Sequence, residues 1–80
     1  CDIDYVAKVG NYQFGIQVKP VTANANFGGY SLTERMRVSF ESFTEQYGGK
    51  VFVVYSLKGE IANKEVVDEI ASEINRLKQL

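Results

Sequence analysis

The sequence contains no histidine, no tryptophan, one cysteine and one proline. Without histidine, and with a lone thiol, it cannot build a Cys/His zinc site or an internal disulfide framework. It also lacks an excess of either charge: nine Lys+Arg stand against ten Asp+Glu, for a formal net charge of −1. A strongly basic nucleic-acid arm and an acidic solvating tail are both excluded. No apolar run approaches the roughly 20 residues of a membrane span, and no charged-then-apolar stretch reads as a signal peptide. A cytoplasmic setting is therefore the expectation. What is present is ordinary for a globular chain: 45% hydrophobic and 24% charged residues over 80 positions. That makes residues 1–80 a single small domain. A chain of this size buries only about 60–65% of its unfolded surface. Because strand-like sequence begins immediately after Cys1, elements N-terminal to it are expected to complete the core.

Two segments carry apolar residues at period two: Ile3, Tyr5, Ala7, Val9, and then Tyr12, Phe14, Ile16, Val18. Each reads as a strand with one apolar face. Gly10-Asn11 between them suits a two-residue hairpin loop, because glycine enters positive φ without steric penalty. Pro20 ends the second strand, and residues 21–30 carry turn chemistry. Ser31 with Glu34 fits a capping box, so a helix is expected from there. Its stripe is Leu32, Met36, Phe40, Phe43 and Tyr47, and Gly48-Gly49 stop it. Lys50–Leu57 contains the β-branched run Val51-Phe52-Val53-Val54-Tyr55, the pattern of a strand covered on both faces. Lys58-Gly59 turns the chain, and Asn63 can cap a last helix with the stripe Val67, Ile70, Ile74, Leu77. The expected fold class is α/β in the order β-β-α-β-α. It is a small mixed sheet, an antiparallel hairpin plus a third strand brought in parallel by the helical crossover.

A two-residue loop at Gly10-Asn11 fixes the pairing: Val9 faces Tyr12, Ala7 faces Phe14, Tyr5 faces Ile16 and Ile3 faces Val18. On the opposite face Asp4 then lies across from Gln17, and Asp2 across from Lys19. Opposed Cβ atoms sit about 4.5–5.5 Å apart. Two carboxylates, a carboxamide and an ammonium thus converge, with Gly15 leaving space beside them. Mg²⁺ takes oxygen ligands and keeps several waters, so a carboxylate and a carbonyl can suffice from the protein. Asp4 supplies the charge, Gln17 a neutral oxygen, and Lys19 orients water or stabilises developing phosphate charge. Asp2 compensates for the neutral Gln17. The alternative is a solvated strand face carrying an exposed Asp2–Lys19 pair worth little.

The pattern Asp4-x(12)-Gln17-Val18-Lys19 across a hairpin, followed by a helix and a further strand, resembles the PD-(D/E)xK nuclease superfamily. Within it the sequence after Lys19, Pro-Val-Thr and an Asn-rich loop, looks most like type II restriction endonucleases. The resemblance implies a restriction-endonuclease-like core and Mg²⁺-dependent hydrolysis of double-stranded DNA, with Mn²⁺ a possible substitute. It also implies Asp4 as the metal-binding aspartate, Gln17 in the position usually held by an acid, Lys19 as the catalytic lysine and the Val18 carbonyl facing the metal. Two departures stand out: Ile3 rather than Pro precedes Asp4, and Gln17 replaces the acid. A homodimer of the full-length protein is a family-level expectation.

Thr22, Asn24 and Asn26 follow the presumed site and could contact DNA, although such residues also simply make turns. Arg35 and Arg37 could reach phosphates or form a solvated helix face. The competing functions are a non-catalytic nucleic-acid- or protein-binding module with a decayed nuclease site, and a plain α/β interaction domain.

Overall fold

The computed structural model of the chain describes residues 3–22 and 32–80. Strand β1 (Tyr5–Val9) and strand β2 (Tyr12–Pro20) are joined by Gly10-Asn11. Glycine takes the left-handed conformation at the first loop position (φ 60°), the geometry of a type II′ turn. The register follows from that loop: Val9 pairs with Tyr12, Ala7 with Phe14 and Tyr5 with Ile16.

Helix α1 (Glu34–Tyr47) is capped by Thr33, whose hydroxyl accepts the Met36 N–H at 3.1 Å. The expected capping residue Ser31 lies outside the described residues. Met36, Phe40 and Phe43 are buried along the expected stripe, whereas Leu32 precedes the helix and stays exposed. Gly48 ends α1 in the left-handed conformation (φ 90°), its N–H donating to the Thr44 carbonyl. Strand β3 (Gly48–Leu57) starts at that residue, two earlier than the expected start at Lys50. One extra residue is accommodated there, because Gln13 and Gly15 of β2 align with Gly48 and Val51. Gly49 sits so close to β2 that a Cβ would lie 2.2 Å from the Gln13 carbonyl oxygen.

From Val51 to Ser56, β3 runs parallel to β2, as the helical crossover requires. Lys58 (φ 50°) and Gly59 (φ 81°) form a tight turn that returns the chain as a fourth strand, β4 (Glu60–Ile61), paired with Ser56 and Leu57. β4 is not expected from the sequence, since two residues carry no periodicity. The sheet is a mixed four-stranded one in the order β1-β2-β3-β4, flanked by two helices.

Helix α2 (Val66–Lys78) corrects two expectations. Val66 is buried at 2% exposure while Val67 is 55% exposed, so the packed stripe is Val66, Ile70, Ile74 and Leu77. Asn63 is not the side-chain cap of α2. Its amide continues the strand edge, accepting the Tyr55 N–H at 2.9 Å and donating to the Val53 carbonyl at 2.8 Å. This side chain imitates a peptide group where β4 has run out.

The two helices cover opposite faces of β2 and β3. Phe14, Ile16, Phe52 and Val54 pack with Val66, Ile70 and Leu77 of α2, and Phe14 meets Phe52 edge-on with ring centroids 6.3 Å apart. On the other face, Val51 of β3 and Phe43 of α1 converge above Gly15. Burying each such side chain contributes about 1.5–3 kcal/mol.

Glu73 is an acid within the α2 apolar stripe and is 3% exposed. Its Oε2 accepts the Lys50 N–H at 2.7 Å, and its carboxylate takes two bonds from the Arg76 guanidinium (2.7 and 2.9 Å). Arg76 also donates to the Gly48 carbonyl at 3.1 Å. This ion pair fastens α2 to the irregular start of β3. The Arg76 bonds hold the Glu73 carboxyl below its usual range, assisted by the Lys50 amide and opposed by burial. A folded value below the unfolded one means that the stabilisation is complete above the unfolded pKa of about 4.3. It is lost as pH falls through the folded value.

Glu73→Ala strands the Lys50 amide and should cost roughly 1–3 kcal/mol in urea unfolding at neutral pH. Glu73→Gln should flatten the fall in stability on acidification, and an unchanged acid limb would contradict the role given to the pair. Gly48→Ala must hold a side chain at φ 90° and 2.5 Å from the Tyr12 ring. It should lower stability by about 1–3 kcal/mol, read from the same unfolding curves.

Candidate functional site at the open end of the hairpin

Strand β2 sits between β1 and β3 and carries the candidate residues at its C-terminal half. Gln17 and Lys19 align with Val53 and Tyr55 of β3, on the face shared with Val51 and α1. Both are half-buried. The Gln17 Oε1 is buried and accepts no hydrogen bond from any described residue. An orphaned amide oxygen beneath a helix is costly unless something meets it. Lys19 makes no ion pair with a described residue.

Asp4 reaches β2 in a different way from the one the period-two pattern suggests. Its Oδ2 accepts the Val18 N–H at 2.7 Å, so the carboxylate lies on the peptide that joins Gln17 to Val18. The ladder ends at Tyr5, and the Asp4 side chain supplies the acceptor that a further β1 carbonyl would have offered. Strand alternation breaks with it. Ile3 was expected on the apolar face opposite Val18. Its Cγ2 instead lies 2.8 Å from where a Gly15 Cβ would be, beside Val51 and Phe43. The reason is steric and hydrophobic. Gly15 leaves a gap under α1, and a methyl group fills it at the expense of the strand's regular alternation. The free space expected beside Gly15 is occupied by Ile3, Val51 and Phe43.

The remaining candidates fall in several places. Val18 is partly exposed and contributes its N–H to Asp4. Asp2, Asn24 and Asn26 lie outside the described residues. Thr22 is exposed just past Val21, whose N–H donates to the Ser56 carbonyl at 2.9 Å. Arg35 lines a groove with Ile3 and Val38 on the β1 side of α1. Arg37 is bridged to Glu34 and, at 2.8 Å, to Glu41 on its own helix, and these carboxylates raise its pKa. Its charge is already matched within the helix. Among the described residues, no cluster of three Asp, Glu, Cys or His side chains is poised for a metal. The oxygen donors among the described candidates are the second Asp4 oxygen and the Gln17 carbonyl, which meets no described donor, and oxygen ligands suit a hard cation.

The Glu73–Arg76 clamp was missed from the sequence. Its signal was an acid inside an apolar stripe with arginine three positions on, a spacing that places both on one helix face.

No family model, no curated protein and no solved structure matches this chain. Among the described residues no helix is long and apolar enough to cross a membrane.

The Asp4–Val18 contact yields a direct test. Asp4→Ala should speed hydrogen exchange at the Val18 amide and cost about 1 kcal/mol of stability. Unchanged exchange at Val18 would show that this carboxylate does not close the strand.

Proposed function

We propose that this domain is the catalytic core of a Mg²⁺-dependent DNA endonuclease of the PD-(D/E)xK type, acting in the cytoplasm on double-stranded DNA. A type II restriction enzyme that works as a homodimer in the full-length protein is the narrower form of this reading. The observation that carries it is the placement of the Asp4 carboxylate on the Gln17–Val18 peptide, together with a buried Gln17 amide oxygen that meets no hydrogen-bond donor among the described residues. The β-hairpin followed by a helix and a parallel strand agrees with the resemblance of the motif.

Asp4 and Gln17 would hold the cation through side-chain oxygens, with the Val18 peptide and Asp2 as further donors. When bound, the ion would supply Lewis acidity at the scissile phosphate and make water a better nucleophile near neutral pH. Lys19, two residues along the same face, orients that water and offsets negative charge that builds on the phosphate. Water oxygen bonds to phosphorus and loses a proton to solvent, the bond from phosphorus to the 3′ oxygen breaks, and that oxygen takes up a proton, leaving a 5′-phosphate and a 3′-hydroxyl. Thr22, Asn24, Asn26 and Arg35 are candidates for holding the DNA backbone. Arg37 would have to exchange its helix partners for a phosphate.

A second reading has specific support. Gln17 is neutral where the motif has an acid, and Ile3 fills the space beside Gly15. Both features suit a module that binds nucleic acid or protein without cutting.

Cleavage of duplex DNA by the full-length protein separates the two. In Mg²⁺, Lys19→Ala should cut at least about a hundredfold more slowly, with duplex binding retained. Mg²⁺ titration should shift the Asp4, Gln17 and Val18 resonances saturably, with Mn²⁺ broadening the same set. Cleavage by Lys19→Ala at the parental rate would overturn the catalytic assignment, and duplex binding without any saturable metal response would favour the non-catalytic module.

A further inference from the structure

The outer edge of β3 is only partly closed. Strand β4 covers Ser56 and Leu57, and Asn63 extends that cover to the Val53 carbonyl. At the other end, Glu73 and Arg76 occupy the Lys50 N–H and the Gly48 carbonyl. A window remains between these caps. Tyr55 turns both its N–H and its carbonyl outward, to Asn63 and Ala62, while Ser56 turns its carbonyl inward to Val21. The register is unbroken from Val51 to Ser56. Alternation along the strand therefore aims the Val51 N–H, the Val51 carbonyl and the Val53 N–H outward. No strand pairs with them among the described residues.

Grooves of about 550 and 570 Å³ flank this window on the two faces of the sheet, and both include Lys50 and Val51. The α1 groove has an apolar floor of Leu32, Phe40 and Val51, and its charges balance: Arg37, already bound to Glu41, and Lys50 against Glu41 and Glu45. The α2 groove presents Asp68, Glu69 and Ser72. The carboxylates of Asp68 and Glu69 make no hydrogen bond or ion pair with a described residue. Counting Lys50 and Arg76 against Asp68, Glu69 and Glu73 leaves this groove one net negative charge.

We propose that the Val51–Val53 edge is a β-augmentation site for an extended segment of a partner protein in which apolar residues alternate with lysine or arginine. An added strand sends successive side chains to opposite faces. Apolar residues then enter the α1 groove over Phe40, and basic residues meet Asp68 and Glu69. Main-chain bonds to Val51 and Val53 supply affinity, and the opposed character of the two grooves supplies register and sequence preference. This surface lies on the far side of β3 from Asp4 and is independent of the nuclease reading.

The probe is a short synthetic peptide of alternating valine and lysine, titrated into the isotope-labelled protein, with a valine–glutamate peptide as its counterpart. The valine–lysine peptide should shift the Val51, Phe52 and Val53 resonances saturably and slow exchange of the Val51 and Val53 amides. The valine–glutamate peptide should not. The exposed double substitution Asp68→Lys, Glu69→Lys should weaken valine–lysine binding about tenfold or more and improve binding of the valine–glutamate peptide. The proposal is overturned if neither peptide perturbs this edge, or if the charge reversal leaves the preference unchanged. It is also overturned if the Val51 and Val53 amides are already protected without peptide. Concentration-dependent protection would assign the edge to a second copy of the chain, and concentration-independent protection to the chain itself.

Discussion

β2 has a strand on each edge and a helix over each face, and the rest of the domain is arranged around that constraint. Its antiparallel partner is set by a two-residue turn. Its parallel partner is set by a helix that must cross the sheet to bring β3 alongside. A strand enclosed in this way has little freedom of register, because a one-residue slip would move Phe14 and Ile16 out of the α2 core and onto the α1 face. The chemistry proposed for the chain uses the C-terminal half of β2, beyond the Tyr5–Ile16 pair at which the β1 ladder ends.

At that end, hydrophobic filling and polar satisfaction work together. Gly15 carries no side chain, and the gap above it draws Ile3 across the sheet to lie by Val51 and Phe43. The crossing ends the β1 ladder, and Asp4 supplies the acceptor that the Val18 amide would otherwise lack. The carboxylate is consequently pinned to the backbone of the Gln17–Val18 pair. A similar substitution occurs at the other side of the sheet, where Asn63 and Glu73 satisfy backbone groups of β3 beyond the reach of β4. Three polar side chains thus finish a sheet whose outer strands are short.

The regular parts of this architecture were legible in the sequence. Period-two alternation and Gly10-Asn11 determine the hairpin register, and the spacing of Met36, Phe40 and Phe43 gives the buried face of α1. What was not legible depended on contacts distant in sequence. Ile3 obeys the alternation of its own strand on paper, and only the gap over Gly15, under Phe43, reveals why it leaves it. Asn63 has the right identity for a helix cap, yet a free strand edge nearby offers it two backbone bonds. Val66, four residues before Ile70, takes the core position at the start of the same stripe, and Val67 stays exposed beside it. β4 is too short to leave a pattern. At the candidate site, Gln17 and Lys19 share the expected face, whereas the approach of Asp4 could not be read from spacing.

The central claim is that β1 breaks at Asp4, sending Ile3 to the α1 face and leaving the carboxylate on the Gln17–Val18 peptide. Nuclear Overhauser contacts from the Ile3 methyl groups test it most directly. The account predicts strong contacts to the Gly15 α protons and the Phe43 ring. Contacts to the Val18 side chain with none to Phe43 would mean an unbroken strand. That outcome would contradict the placement of Asp4 on which the site is built.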